Sequence, residues 1–95
     1  MAESLENREL RALKARAQLL KPLARVGKDG ISPALLKSLD DALTHHELVK
    51  VKFDHFKEQK KELMPQLAEK VSAHIILRVG NVLVLFRRKP AQSTG

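Results

Sequence analysis

The sequence predicts a single α/β domain, and three observations carry the prediction. A chain of 95 residues is the length of one domain, enough to bury one core and too short for two. Its apolar residues alternate between helical and strand periods, in the order helix, strand, helix, strand, helix, strand, strand. Pro22, Gly27, Gly30, Pro33 and Gly80 fall at the joints between those segments. A four-stranded mixed sheet is the architecture that follows, with the domain placed at residues 5–89 and flexible termini at 1–4 and 90–95.

Each element has its own reason. Over residues 6–20, Leu10, Leu13, Ala17 and Leu20 recur at steps of three and four and make an apolar stripe, with Arg8, Arg11, Lys14 and Gln18 on the neighbouring arc. Pro22 disfavours helical geometry before it, so the helix is expected to end near Lys21. A short strand at 23–26 follows. Ser32 is a good N-cap and Pro33 suits the first helical position, so a second helix is predicted over 33–44, burying Leu35, Leu36, Leu39, Ala42 and Leu43. Residues 48–53, LVKVKF, alternate Val49, Val51 and Phe53 with Lys50 and Lys52, the pattern of a strand with one covered face. A third helix is predicted over 57–71, burying Leu63, Leu67, Ala68 and Val71. Pro65 removes the bond to the Lys61 carbonyl, so a kink is expected there, or a start late enough to put Pro65 in the first turn.

HIILRV and VLVLFRR, separated by Gly80-Asn81, read as an antiparallel hairpin. Strands joined through helices are expected as parallel neighbours. Simple hairpin register puts Ile75, Leu77, Val79, Val82, Val84 and Phe86 on one face. Ile76, Arg78, Leu83, Leu85 and Arg87 take the other, where Lys50 and Lys52 would join them in a basic, partly apolar surface.

Composition narrows the function. There is no Cys, which excludes disulfides, thiolate metal clusters and thiol nucleophiles. No run approaches the roughly 18 to 20 apolar residues of a membrane span, and the first ten residues hold no signal-peptide core, so a cytoplasmic location is the expectation. The four His lack ligand spacing, the carboxylates pair only at Asp40-Asp41, and no hydroxyl sits in a nucleophile elbow. Neither metal, cofactor nor catalysis is therefore expected. The net charge of +7 points to a polyanionic partner. The charge is also segregated: residues 8–28 carry seven basic side chains against Glu9 alone, and Arg87, Arg88 and Lys89 are consecutive near the other end.

Between the basic helix and the capped helix lies RVGKDGIS, residues 25–32. Glycine allows positive φ and close backbone approach to a ligand, and a helix N-terminus with Lys28 beside it favours phosphate. A strand-to-helix turn would look the same, and Asp29 would repel an anion unless it faced outward or capped a neighbouring N–H. Neither a P-loop nor a dinucleotide fingerprint is present. With three Phe, no Tyr and no Trp, a stacking platform is not expected, so nucleic acid would be held through backbone and shape.

LRALKARAQLLKPLARVGKDGIS, then HHELVKVKF and VGNVLVLFRR, resemble the CRM domain (chloroplast RNA splicing and ribosome maturation) in its stand-alone bacterial YhbY-like form. The most specific portion runs from Leu20-Lys21-Pro22 through Val26-Gly27-Lys28-Asp29-Gly30 to His46-Glu47-Leu48-Val49-Lys50-Val51-Lys52. The resemblance implies a fold similar to the C-terminal domain of translation initiation factor three, RNA binding, and association with precursors of the large ribosomal subunit. It also implies a KH-like role in clamping nucleotide backbone for Gly27, Lys28, Asp29 and Gly30. Phe86 departs from a Tyr common in the family, and Pro65 interrupts a helix that relatives are expected to keep continuous.

The reading that results is a monomeric, non-enzymatic RNA-binding protein of ribosome assembly. Its contacts are expected at Arg8, Arg11, Lys14, Lys21, Gly27, Lys28, Asp29, Gly30, Lys50, Lys52, Arg78, Arg87 and Arg88. Two alternatives stay open: a ribosomal protein-interaction module using an exposed apolar patch around Leu83 and Leu85, and single-stranded DNA binding.

Overall fold

A computed structural model describes residues 6–88; the expectations for 1–4, 90–95 and Lys89 lie outside the described residues. The elements are α1 (Asn7–Ala17), β1 (Ala24–Val26), α2 (Pro33–His46), β2 (Leu48–Phe53), α3 (Lys60–Lys70), β3 (His74–Val79) and β4 (Val82–Phe86). Their order is the one the periodicity predicts.

Helix ends differ from expectation where tighter turns take over. α1 stops at Ala17, because Leu19 and Leu20 donate three residues back, to the Arg16 and Ala17 carbonyls, closing the last turn in 3₁₀ fashion. α2 begins as predicted, with the Ser32 hydroxyl accepting from the Leu35 N–H at 3.1 Å. It runs two residues beyond Thr44, to His46. α3 starts at Lys60, later than residue 57 yet too early to place Pro65 in its first turn. Pro65 is therefore interior and exposed, and the Lys61 carbonyl lacks a helical N–H partner.

The strand order is β1-β2-β4-β3. β1 and β2 pair in parallel as expected. β2 and β3 are not neighbours, because β4 enters between them, antiparallel to both. Burial explains the insertion: four of the five residues of β4 are buried, whereas β3 ends in exposed residues. A strand that is apolar on both faces belongs in the middle of a sheet.

Helices cover both faces. α2 and α3 lie over Val26, Val49, Val51, Phe53, Leu83 and Leu85, packing Leu39, Leu43 and Leu67 against them. α1 packs Leu13 and Ala17 on Leu48, Ile76, Val84 and Phe86. Among the described residues no charged or polar residue is buried.

This arrangement corrects the expected face assignment. Val49 pairs with Leu85 and Val51 with Leu83, so Leu83 and Leu85 are fully buried beneath α2 and α3. Lys50 pairs with Val84 and Lys52 with Val82, which puts both lysines on the α1 side of the sheet. A bulge between Ile75 and Leu77 then exchanges two more residues. Ile75 pairs with Leu85 toward α2 and α3, and Ile76 is buried toward α1 together with Leu77. Arg78, opposite Leu83, is left on the other face from the two lysines.

Candidate nucleic acid interface

Gly27-Lys28-Asp29-Gly30 forms a closed turn at the end of β1. The Gly30 N–H donates to the Gly27 carbonyl at 3.0 Å, and the Ser32 N–H donates to the Gly30 carbonyl at 3.0 Å. Only Gly30 has positive φ, +66°. Gly27 does not, and a Cβ added to it would meet nothing within 4 Å. The glycine requirement is thus conformational at Gly30, while at Gly27 it leaves open surface.

The β2–α3 connection braces this turn. The Asp54 and His55 N–H groups both donate to the Val26 carbonyl, at 3.1 and 3.2 Å. Asp54 also accepts from the Arg25 guanidinium at 3.1 and 3.2 Å. Phe56, itself at φ 59°, lays its ring beside Gly30, 3.4 Å from where a Cβ would stand. Phe56 carries no periodic signal in the sequence, so this role was not legible there.

Lys28 and Asp29 are exposed at the tip, and the Asp29 carboxylate has no hydrogen-bond partner among the described residues, which is the outward placement of the two expected. The helix N-terminus offers less than a bare one would. Pro33 has no N–H, and the Leu35 and Leu36 N–H groups already donate to Ser32, so Ala34 is the donor left in the first turn. The turn opens onto a groove of about 380 Å³ between β1 and α2, where Arg25 and Lys28 stand near Ser32 and Ser38, with Leu23 and Leu35 as apolar lining.

A second groove, of about 310 Å³, adjoins the first at Leu23. Arg16, Lys21, His46 and Lys50 surround it, over Leu20 and Leu48. Two of these, Arg16 and His46, were absent from the expected set. Arg16 could have been found from the basic run of residues 8–28, since it lies at the end of the same helix. Lys50 is shared with a third groove of about 380 Å³, floored by Ala17, Leu77, Val82 and Val84.

The remaining expected residues divide. Arg8 and Arg11 are exposed on α1, and Lys14 is half-buried. Lys52 lies beside Arg25 on the α1 side of the sheet. Arg78 lines a separate groove near α3, with Lys60, Lys61 and Met64. Arg87 is held inside the fold: its guanidinium donates to the Asp40 carboxylate at 2.6 Å, the Val71 carbonyl at 2.9 Å, the Asp40 carbonyl at 3.0 Å and the Thr44 hydroxyl at 2.9 Å. Arg88 pairs with Glu9 at 2.7 Å and stands 5.6 Å above the Phe86 ring. The apolar patch expected around Leu83 and Leu85 does not exist. Among the described residues, the large apolar side chains that are exposed are Leu19, Leu23, Phe56 and Val79.

Among the described residues no group of three His, Asp or Glu could hold a metal ion, and no helix is long and apolar enough to cross a membrane.

The chain is similar in sequence and in fold to known proteins. The CRS1 / YhbY (CRM) domain family model matches residues 5–87. A Haemophilus influenzae protein named "RNA-binding protein" is 31% identical over 85 residues, covering 88% of this chain and 86% of that one. The Bacillus subtilis protein YqeI, named "Probable RNA-binding protein", is 29% identical, covering 87% of this chain and 88% of that one. The solution structure of a hypothetical protein from Staphylococcus aureus superposes with a TM-score of 0.77 at 28% identity, over 95% of both chains.

Proposed function

The chain belongs to the CRS1 / YhbY (CRM) domain family, and on that premise we propose that it binds RNA without catalysing a reaction, docking ribosomal RNA in precursors of the large subunit. The observation that supports this reading most is the setting of the Gly27–Gly30 turn: Lys28 is exposed at its tip, Arg25 stands beside it, and Lys21, Lys50 and Lys52 continue onto the adjoining face. Among the described residues lining the first two grooves, Asp29 is the only acid.

The turn would hold phosphate through Lys28 and the open backbone at Gly27, and Arg8, Arg11 and Lys14 would extend the contact along α1. Arg78 lies on the other face and would touch RNA only if it wrapped the domain. Arg87 is committed to Asp40, Val71 and Thr44, so it is assigned to the fold. Contacts of this kind fix position and affinity more than sequence choice.

Replacing Lys28 by Asp tests the reading. Binding should weaken across RNA sequences, and the slope of log K against log salt should fall by about 0.7 to 0.9 for one lost phosphate contact. A folded variant with unchanged affinity and slope would remove the turn from the mechanism. Competition between matched RNA and DNA oligonucleotides separates RNA binding from single-stranded DNA binding.

A further inference from the structure

We propose that the groove between the end of α1 and the start of β2 is a second nucleotide subsite, in which an unstacked base of single-stranded RNA leaving the Gly27–Gly30 turn lies against Leu23 and Leu20. The inference rests on the RNA-binding reading above and names a place on the surface that the turn itself does not include.

Three observations carry it. The groove is continuous with the one at the turn, because Leu23 lines both. Its chemistry is that of a nucleotide: Arg16, Lys21 and Lys50 supply positive charge at the rim, while Leu20, Leu23 and Leu48 supply an apolar floor. No acid lines it. Finally, Leu23 is 58% exposed although its backbone is fixed, its N–H donating to the Lys50 carbonyl at 3.0 Å. A large apolar side chain presented to water from a fixed backbone, among cations, suits a flat, partly apolar, anionic ligand.

An acidic protein segment would also meet the charge. The continuity with the phosphate-binding turn favours RNA, since a strand held at Lys28 needs a path off the turn and this groove adjoins it. Aliphatic side chains here take the place of the aromatic platform that the chain lacks.

The test compares two RNA lengths on the intact protein. A turn of this kind clamps roughly four nucleotides, so an oligonucleotide of about four residues reports on the turn alone. One of about ten reaches the second groove as well, within the usual range for single-strand sites. Leu23→Ser should leave the melting temperature unchanged, because the side chain is mostly exposed. It should weaken the longer RNA by about fivefold or more, the lower end for loss of one base contact, with an unaltered salt slope, and should weaken the short RNA less, since Leu23 only borders the groove at the turn. Lys21→Gln should instead lower the slope for the longer RNA by about 0.7. Equal affinity of wild type and Leu23→Ser for the longer RNA overturns the inference, and so does equal weakening of both lengths, which would mean Leu23 acts through the turn. If wild type binds neither RNA, the RNA-binding reading itself falls; a subsite failure leaves wild-type binding to both intact.

Discussion

Gly27 and Gly30 are three residues apart and do different work. At Gly30, φ is +66°, so Gly30→Ala should cost about 1 to 2 kcal/mol in folding, the strain of an alanine in left-handed backbone. The Phe56 ring adds little to that, since 3.4 Å is ordinary contact. Gly27→Ala should leave stability unchanged, because neither φ nor space opposes it. If a phosphate approaches the backbone there, the same substitution should weaken RNA binding. Thermal melting and RNA titration of the two variants check both statements, and equal destabilisation would contradict the difference seen between the two positions. The motif was legible in the sequence as two glycines. Which one the backbone needs was not, because φ at each depends on the Gly27–Gly30 hydrogen bond and on a Phe contributed from beyond β2.

At the scale of elements, Arg87 shows how a basic run can be misread. It follows β4 directly, and its guanidinium joins that strand to the last turns of α2 and to the Val71 carbonyl at the end of α3. Its side chain is only 21% exposed. Arg87→Ala should therefore destabilise the fold by roughly 1.5 to 3 kcal/mol, the range for lost hydrogen bonds to a charged group, while the salt slope for RNA stays as in wild type. A stable variant with a reduced slope would return Arg87 to the RNA surface. The β3 bulge makes a similar point. In IIL, three consecutive apolar residues let the strand present either parity, so alternation alone left the faces open, and pairing with β4 decided which side each residue took.

The whole molecule is a shared sheet with a helix layer on each side, and its two apolar clusters meet through the same strands. Unfolding should accordingly be one cooperative transition. Leu13→Ala in the α1 layer should lower stability by about 2 to 5 kcal/mol, as should Leu39→Ala beneath α2. Coincident transitions by helical circular dichroism and by methyl signals from both layers are the expected result. Loss of the α1 layer at a lower denaturant concentration would show that the second cluster folds separately. The same closure brings the two basic ends of the chain together, with Arg88 reaching Glu9 on α1. Part of the positive charge counted along the sequence is thereby paired with an acid at the surface of the domain.

The sequence by itself determined the helix and strand order, the Ser32 cap, the Gly80-Asn81 turn, the parallel β1–β2 pair and the family, because each rests on local periodicity, capping or a motif of neighbouring residues. The tertiary structure decided the rest. It inserted β4 between β2 and β3, turned Lys50 and Lys52 toward α1, committed Arg87 to the core edge, and gathered Arg16, Lys21 and Lys50 around Leu23. Each of these depends on which strand is covered on both faces and on where one bulge falls, and such choices are settled by packing between segments far apart in the chain.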